Sequence, residues 1–202
     1  MDNSTKLNVF LKELRGCTHC STATPKLPVS PNPILQVGDK ARIRIIGQAP
    51  GRLAHETSQT FNDPSGVRLR DWLGVNEPTF YSPKNFAITP MGFCFPGHNE
   101  NGGDLPPRKE CEQLWHDRLD SHLTDISLTL LIGQYAQKRH LGQRRKRTLT
   151  DTVYSWREYG PDVIPLPHPS WRNNAWIKKN PWFSEILEHL KARIEDLVER
   201  QG

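Results

Sequence analysis

Ile43-Arg44-Ile45-Ile46-Gly47-Gln48-Ala49-Pro50-Gly51 is the stretch that decides the fold. The short apolar run from Ile43 to Ile46 reads as a buried parallel strand. Gly47, Pro50 and Gly51 punctuate a loop directly after it. In open α/β sheets, ligands bind just beyond the carboxyl ends of the strands. Gln48 and the backbone amides around it are therefore expected at a site. A glycine-rich loop alone is a weak signal, equally compatible with a plain strand-to-helix turn. The rest of the chain has to decide between them.

Working outward, three more strands are expected: about Asn85–Thr89, Leu128–Ile132 closed by Gly133, and Val163–Leu166. Helical patterns separate them. One covers Ser65–Leu73, another starts near Lys109 and carries Cys111, Leu114, Trp115 and Leu119, and others cover 134–141 and 149–157, with Thr148 or Thr150 near the last one's cap. Trp182–Val198 is amphipathic, with Ile186, Leu190, Ile194 and Leu197 on one broad face. Upstream, residues 4–15 form a helix with Ser4 or Thr5 as its cap and Gly16 as its end. Residues 21–40 read as a surface connection, and 52–64 show no clear periodicity. Strands alternating with helices imply a three-layer α/β/α sandwich around a central four-stranded parallel sheet with right-handed crossovers. The loops after the strands' carboxyl ends should then converge on one edge.

With 202 residues, one domain spanning 1–202 is expected. A hydrophobic fraction of 35%, with 17 Pro and 14 Gly, suggests a modest core and long, shaped loops. No apolar run approaches the roughly 18 residues of a membrane span, and Met1 to Lys6 lack a signal peptide's apolar core. A soluble cytoplasmic monomer without a membrane partner is the expectation. The net charge of +5 permits a polyanionic partner, and several of the six Trp fall in loops where they could stack on bases. Cys17 and Cys20 form a C-x2-C pair, with Cys94 and Cys111 further on. In a cytosolic chain such a set reads as ligands for zinc or an iron–sulfur cluster, and spacing does not separate the two.

These residues together resemble the uracil-DNA glycosylase superfamily, and most closely its iron–sulfur branch. Gly47-Gln48-Ala49-Pro50-Gly51 looks like the branch's first motif, and Thr57 through Phe61 like the segment supplying an aromatic ring to the extruded base. Cys17, Cys20, Cys94 and Cys111 look like its four cluster ligands. Leu130-Leu131-Ile132-Gly133 resembles its third strand, and His168-Pro169-Ser170 its last motif. The resemblance spans about residues 5 to 190. It implies a monofunctional DNA glycosylase acting on DNA that contains uracil or another deaminated base. Extrusion into a pocket is required for such chemistry. Phe61 would stack on the base, with Gly47, Gln48 and Asn62 around it. His168 would stabilise the charge on the departing base, and Ser170, Trp171 and Arg172 would fill the gap in the duplex. The resemblance also implies a structural [4Fe–4S] cluster, zinc being the alternative. Arg144, Arg145 and Arg147, in a basic run, are candidates for phosphate contact, the alternative being a solvated loop.

Three departures from the family pattern stand out. Ala49 and Ala54 occupy places where branches of the family carry acids, leaving His55, Glu56 and Asp63 to supply the water-activating group. His55 is favoured, with Glu56 next. Pro90 or Met91 stands where an Asn reads the edge of uracil. The basic run ends at Thr148, where one branch has a covalently trapping His. A non-catalytic binder of damaged or single-stranded DNA is the second reading, and a metal-stabilised nucleotide-binding protein the third.

Overall fold

In a computed structural model, which describes residues 2–199, four parallel strands form the sheet. They are β1 (Ile43–Ile46), β2 (Phe86–Ile88), β3 (Leu128–Ile132) and β4 (Val163–Leu166), in the order β2-β1-β3-β4. Ile43 sits opposite both Phe86 and Leu128, and Leu130 opposite Ile164. Both faces are covered, as a parallel sheet requires. The expected α/β sandwich is therefore the fold.

Helix α1 (Asn3–Arg15) is capped by Asp2, whose Oδ1 accepts the Thr5 amide at 2.8 Å, rather than by Ser4 or Thr5. Its Leu7, Phe10, Leu11 and Leu14 pack with Leu35, Val37, Phe93 and Trp115. Residues 21–40 are consequently not just a surface connection. Ile34, Leu35 and Val37 are buried, and Gln36 forms an antiparallel bridge with Ile88. Single bridging residues leave no period in a sequence, yet they shield the outer edge of β2.

The expected gap at 52–64 contains α2 (Arg52–Thr57), which at six residues is too short to show a helical repeat. Next, α3 (Pro64–Leu73) begins with an Asp63 cap and Pro64 in the first turn, and stops at Gly74, where φ is 68°. The short α4 (Glu77–Phe80) leads to β2. A continuous rod follows, made of α5 (Lys109–Cys111), a π-turn over Glu112–His116 and α6 (Asp117–Asp120). Beyond β3, α7 (Gly133–Leu141) starts without any loop, and α8 (Leu149–Tyr154) is capped by the Thr148 side chain. After β4 come α9 (Asn174–Lys179) and α10 (Phe183–Glu199), which seats Phe183, Ile186, Leu190, Ile194 and Leu197 in the core with Leu69, Trp72 and Leu73 of α3.

Polar groups are buried on β1 and the elements packed beside it. Arg44, inside the apolar run of β1, is 7% exposed. Its Nε donates to Thr89 Oγ1 at 2.9 Å and its Nη2 to Asp120 at 2.6 Å. Arg139 reaches Glu112 at 2.8 Å and Asp117 at 2.7 Å. His116 and His140 lie in the same network, and burial pushes the pKa of each down to about 4. Among the described residues no helix is long and apolar enough to cross a membrane.

Candidate active site

In the loop after β1, Gly47 and Gly51 bracket Pro50, and the segment is buried or half-buried throughout. Two backbone bonds tie it to the loop after β2: Met91 N to Gly47 O and Gly92 N to Gln48 O, both 2.9 Å. Beside it, Phe61 takes a left-handed backbone, φ 51°, uncommon for a bulky residue. Neighbours hold it there. The Tyr81 hydroxyl donates to the carbonyls of Thr60 at 3.0 Å and Phe61 at 3.3 Å. Gly66 in α3 packs so closely that a Cβ there would sit 1.7 Å from the Phe61 oxygen. The ring is braced edge-on by Phe80 at 6.3 Å and reaches within 3.4 Å of where a Gly47 Cβ would stand.

These groups line a cavity of about 390 Å³ at the carboxyl ends of the strands. The loop after β1 supplies Gly47, Gln48 and Ala49, and the loop after β2 supplies Pro90. The loop after β4 supplies His168, Ser170, Trp171 and Arg172. The fourth strand end, that of β3, adds nothing, since it passes straight into α7. Convergence is thus achieved by three strand ends plus the 60–65 segment and a hairpin at 97–105.

His168 stands between Pro167 and Pro169, and its carbonyl accepts Asn173 Nδ2 at 2.7 Å. Burial lowers its pKa below the ordinary value, while Asp63 and Asp104 pull it partly back. The ring is therefore neutral at pH 7 and can donate one N–H. Asp63 lines the cavity while its Oδ1 accepts the Gly66 amide at 2.8 Å. Gln48 donates to the Leu105 carbonyl at 3.0 Å. At the mouth, Trp171 is 66% exposed, with the Arg172 guanidinium 5.0 Å from its ring centre. Arg68 of α3 holds this loop by donating to the Ser170 carbonyl at 3.0 Å.

Several expected residues are placed elsewhere. Arg52, Leu53 and Ala54 line the cavity, but the next two positions of α2, His55 and Glu56, do not. The helical turn carries them past it. His55 lies against Phe95, ring centres 6.1 Å apart, and Glu56 pairs with Arg52 at 3.5 Å. Asn62 also stays outside the lining and donates to Thr57 Oγ1 at 3.2 Å. Arg144, Arg145 and Arg147 are likewise absent from the lining. Arg144's carbonyl is held by the Tyr159 hydroxyl at 3.0 Å, on the segment entering β4. Conversely, the hairpin brings to the cavity His98 and Asp104, to which sequence reasoning assigned no catalytic role. Their only signal was the pair of glycines, Gly102 and Gly103, between them.

The four cysteines are all free thiols, and together they line a second, small cavity with Leu14, Phe93 and Trp115. Burial, with mutual repulsion among the thiols, raises Cys94 to about 12 and Cys111 to about 11. Among the described residues, no group of three His, Cys, Asp or Glu is closed tightly enough to hold a metal ion.

A parallel sheet whose strand ends and adjoining loops surround one pocket, with a proline-flanked histidine and a braced phenylalanine both in its lining, defines a ligand-binding α/β class. The sequence profile of the Uracil DNA glycosylase superfamily matches residues 35–191, and the chain belongs to that superfamily. Among solved structures, the chain is similar to a candidate uracil DNA glycosylase from Methanosarcina acetivorans, at 14% identity and TM-score 0.48, over 81% of this chain and 97% of that one. It is also similar to wild-type SMUG2 from Pedobacter heparinus, at 15% identity and TM-score 0.39, over 76% of each chain.

Proposed function

We propose that this protein is a monofunctional DNA glycosylase that takes a deaminated base, uracil being the first candidate, into the cavity and hydrolyses its N-glycosidic bond. One observation carries the reading: Phe61 and His168, far apart in sequence, line one cavity with the Gly47–Gly51 loop, and it is roomy enough to admit a base. The Phe61 ring offers a π-face to an extruded base. Neutral His168 donates to a carbonyl of the departing base, where negative charge grows as the bond breaks. Asp63 supplies negative charge on the same wall for the sugar, which becomes cationic. Trp171 and Arg172, exposed at the mouth, enter the space the base vacates. Arg144, Arg145 and Arg147 hold phosphates outside the cavity.

The donor chemistry of the cysteine set, four soft thiols lining one small cavity with no disulfide among them, suits a [4Fe–4S] cluster or a zinc ion, which would have to draw the thiols closer together than they stand. Cys17, Cys20, Cys94 and Cys111 would hold it, and its contribution would be structural.

A non-catalytic DNA binder remains the second reading. It is favoured by Ala49, by Pro90 in the lining, and by the placement of His55 and Glu56 outside that lining. Excision assays on oligonucleotides containing uracil, hypoxanthine or xanthine separate the two. Wild type should release at least one of these bases. His168→Ala should lose about 2–4 kcal/mol in the chemical step with little change in DNA affinity. Binding without release of any base replaces the enzyme with the binder.

A further inference from the structure

We propose that His98, oriented by Asp104, is the water-activating base of this pocket, an inference that rests on the glycosylase reading above. The pair sits on the 97–105 hairpin. Asn99 N bonds Gly103 O at 2.8 Å and Leu105 N bonds Gly97 O at 2.9 Å. The Asn99 side chain closes the turn by accepting the amides of Asn101 at 3.0 Å and Gly103 at 2.9 Å. Gly97 and Gly102 take left-handed backbones, φ 99° and 70°, that the turn demands. Gln48 pins the hairpin to the loop after β1 through the Leu105 carbonyl. A hairpin so bonded presents its side chains in fixed register.

Across it, His98 Nδ1 lies 3.1 Å from Asp104 Oδ1, and the Phe95 ring stands edge-on to the imidazole at 5.0 Å. A carboxylate this close to Nδ1 favours the proton on that nitrogen and leaves Nε2 as the acceptor. Both residues line the cavity of Phe61 and His168, and both are half-exposed, so water reaches them. Asp104 also lies within electrostatic reach of His168.

The other candidates are otherwise occupied. His55 and Glu56 lie outside the lining. Asp63 gives one oxygen to the cap of α3. His168 cannot donate to the departing base and take a proton from water with the same nitrogen. In the step, water's oxygen bonds to the sugar C1′ while His98 Nε2 takes its proton. The C1′–N bond breaks, and its electron pair leaves with the base. The base then gains a proton from solvent, to which His98 returns its own. Asp104 is a positioning residue, acting through His98.

Single-turnover excision by wild type, His98→Gln, Asp104→Asn, their double variant and His168→Ala tests this, with thermal melting and DNA binding measured alongside. His98→Gln should slow the chemical step by roughly 10²–10⁴-fold, the scale of general base catalysis. DNA affinity and melting should stay near wild type. The double variant should be no slower than His98→Gln, since the two act as a unit. Imidazole should restore part of the rate of His98→Gly. Wild-type rates in His98→Gln and Asp104→Asn, with His168→Ala crippled, overturn the dyad and leave the glycosylase reading standing. A His98→Gly variant that melts like wild type, ignores imidazole and loses DNA affinity in step with rate makes the hairpin a binding element and also overturns it. A wild type that releases no base overturns both.

Discussion

Arg44 shows how one side chain can contradict its surroundings. It occupies the central strand among isoleucines, and its charge is compensated by Asp120 at 2.6 Å. Burial depresses its pKa while Asp120 supports the charged form. The two partners should not be equally sensitive. Arg44→Met puts an apolar chain into an apolar place, and the half-buried Asp120 keeps Arg139 at 3.8 Å. Asp120→Ala leaves a buried guanidinium with only Thr89 Oγ1. Removing one partner of a buried pair costs about 3–5 kcal/mol, whereas apolar replacement is often close to neutral. Urea unfolding should therefore find Asp120→Ala less stable than Arg44→Met, and the reverse order would show that Arg44 is not effectively desolvated.

The cysteines belong to elements rather than to a motif. Cys17 and Cys20 follow α1, Cys94 follows β2, and Cys111 ends α5. A group bound by all four would clamp α1 and the 95–108 segment to the sheet, and metal binding would then be coupled to folding. Protein made with iron should carry iron and absorb in the visible. Cys111→Ala should lose that metal and melt at lower temperature. Stoichiometric zinc without iron in anaerobic preparations would exclude the cluster. Metal-free wild type with an unchanged melting temperature would exclude a structural metal altogether. A similar dependence on separate segments holds at Phe61, whose carbonyl is held by the Tyr81 hydroxyl after α4 and has room only because Gly66 of α3 carries no side chain.

Acid sensitivity is a property of the whole fold. His116 and His140 are both held neutral by burial, their pKa values lowered to about 4 from an ordinary 6.5. The unfolded chain protonates both near 6.5, so between pH 6.5 and 4 it binds more protons than the native state. Stability is then full above pH 6.5 and falls as pH drops through that window. The loss should be on the order of 3 kcal/mol per histidine by pH 4. Urea midpoints should decline over this range in wild type and decline less in His140→Leu. Equal slopes would show that His140 is solvated in the native state.

Local pattern was enough for much of this molecule. The runs Ile43–Ile46 and Leu128–Ile132 read as buried strands because apolar side chains fall on both faces of each. Gly47, Gly74 and Thr148 marked the ends of their elements through backbone freedom and capping chemistry. Phe61, His168 and the Gly47–Gly51 loop were legible as candidate site residues because each lies in a recognisable motif, and the fold brings all of them to one cavity. Which acids and bases enter the cavity was decided only in three dimensions. His55 and Ala54 are neighbours in sequence, and the roughly 100° step between them along a six-residue helix sends Ala54 to the cavity and His55 past it. His98 and Asp104 become a pair only when the hairpin closes, and a cavity residue only when Gln48 draws that hairpin to the end of β1. Burial of Arg44 likewise depends on a carboxylate contributed from α6, remote in sequence. Strand identity is written in short-range hydrophobicity, whereas the facing of a polar side chain depends on how separate elements dock.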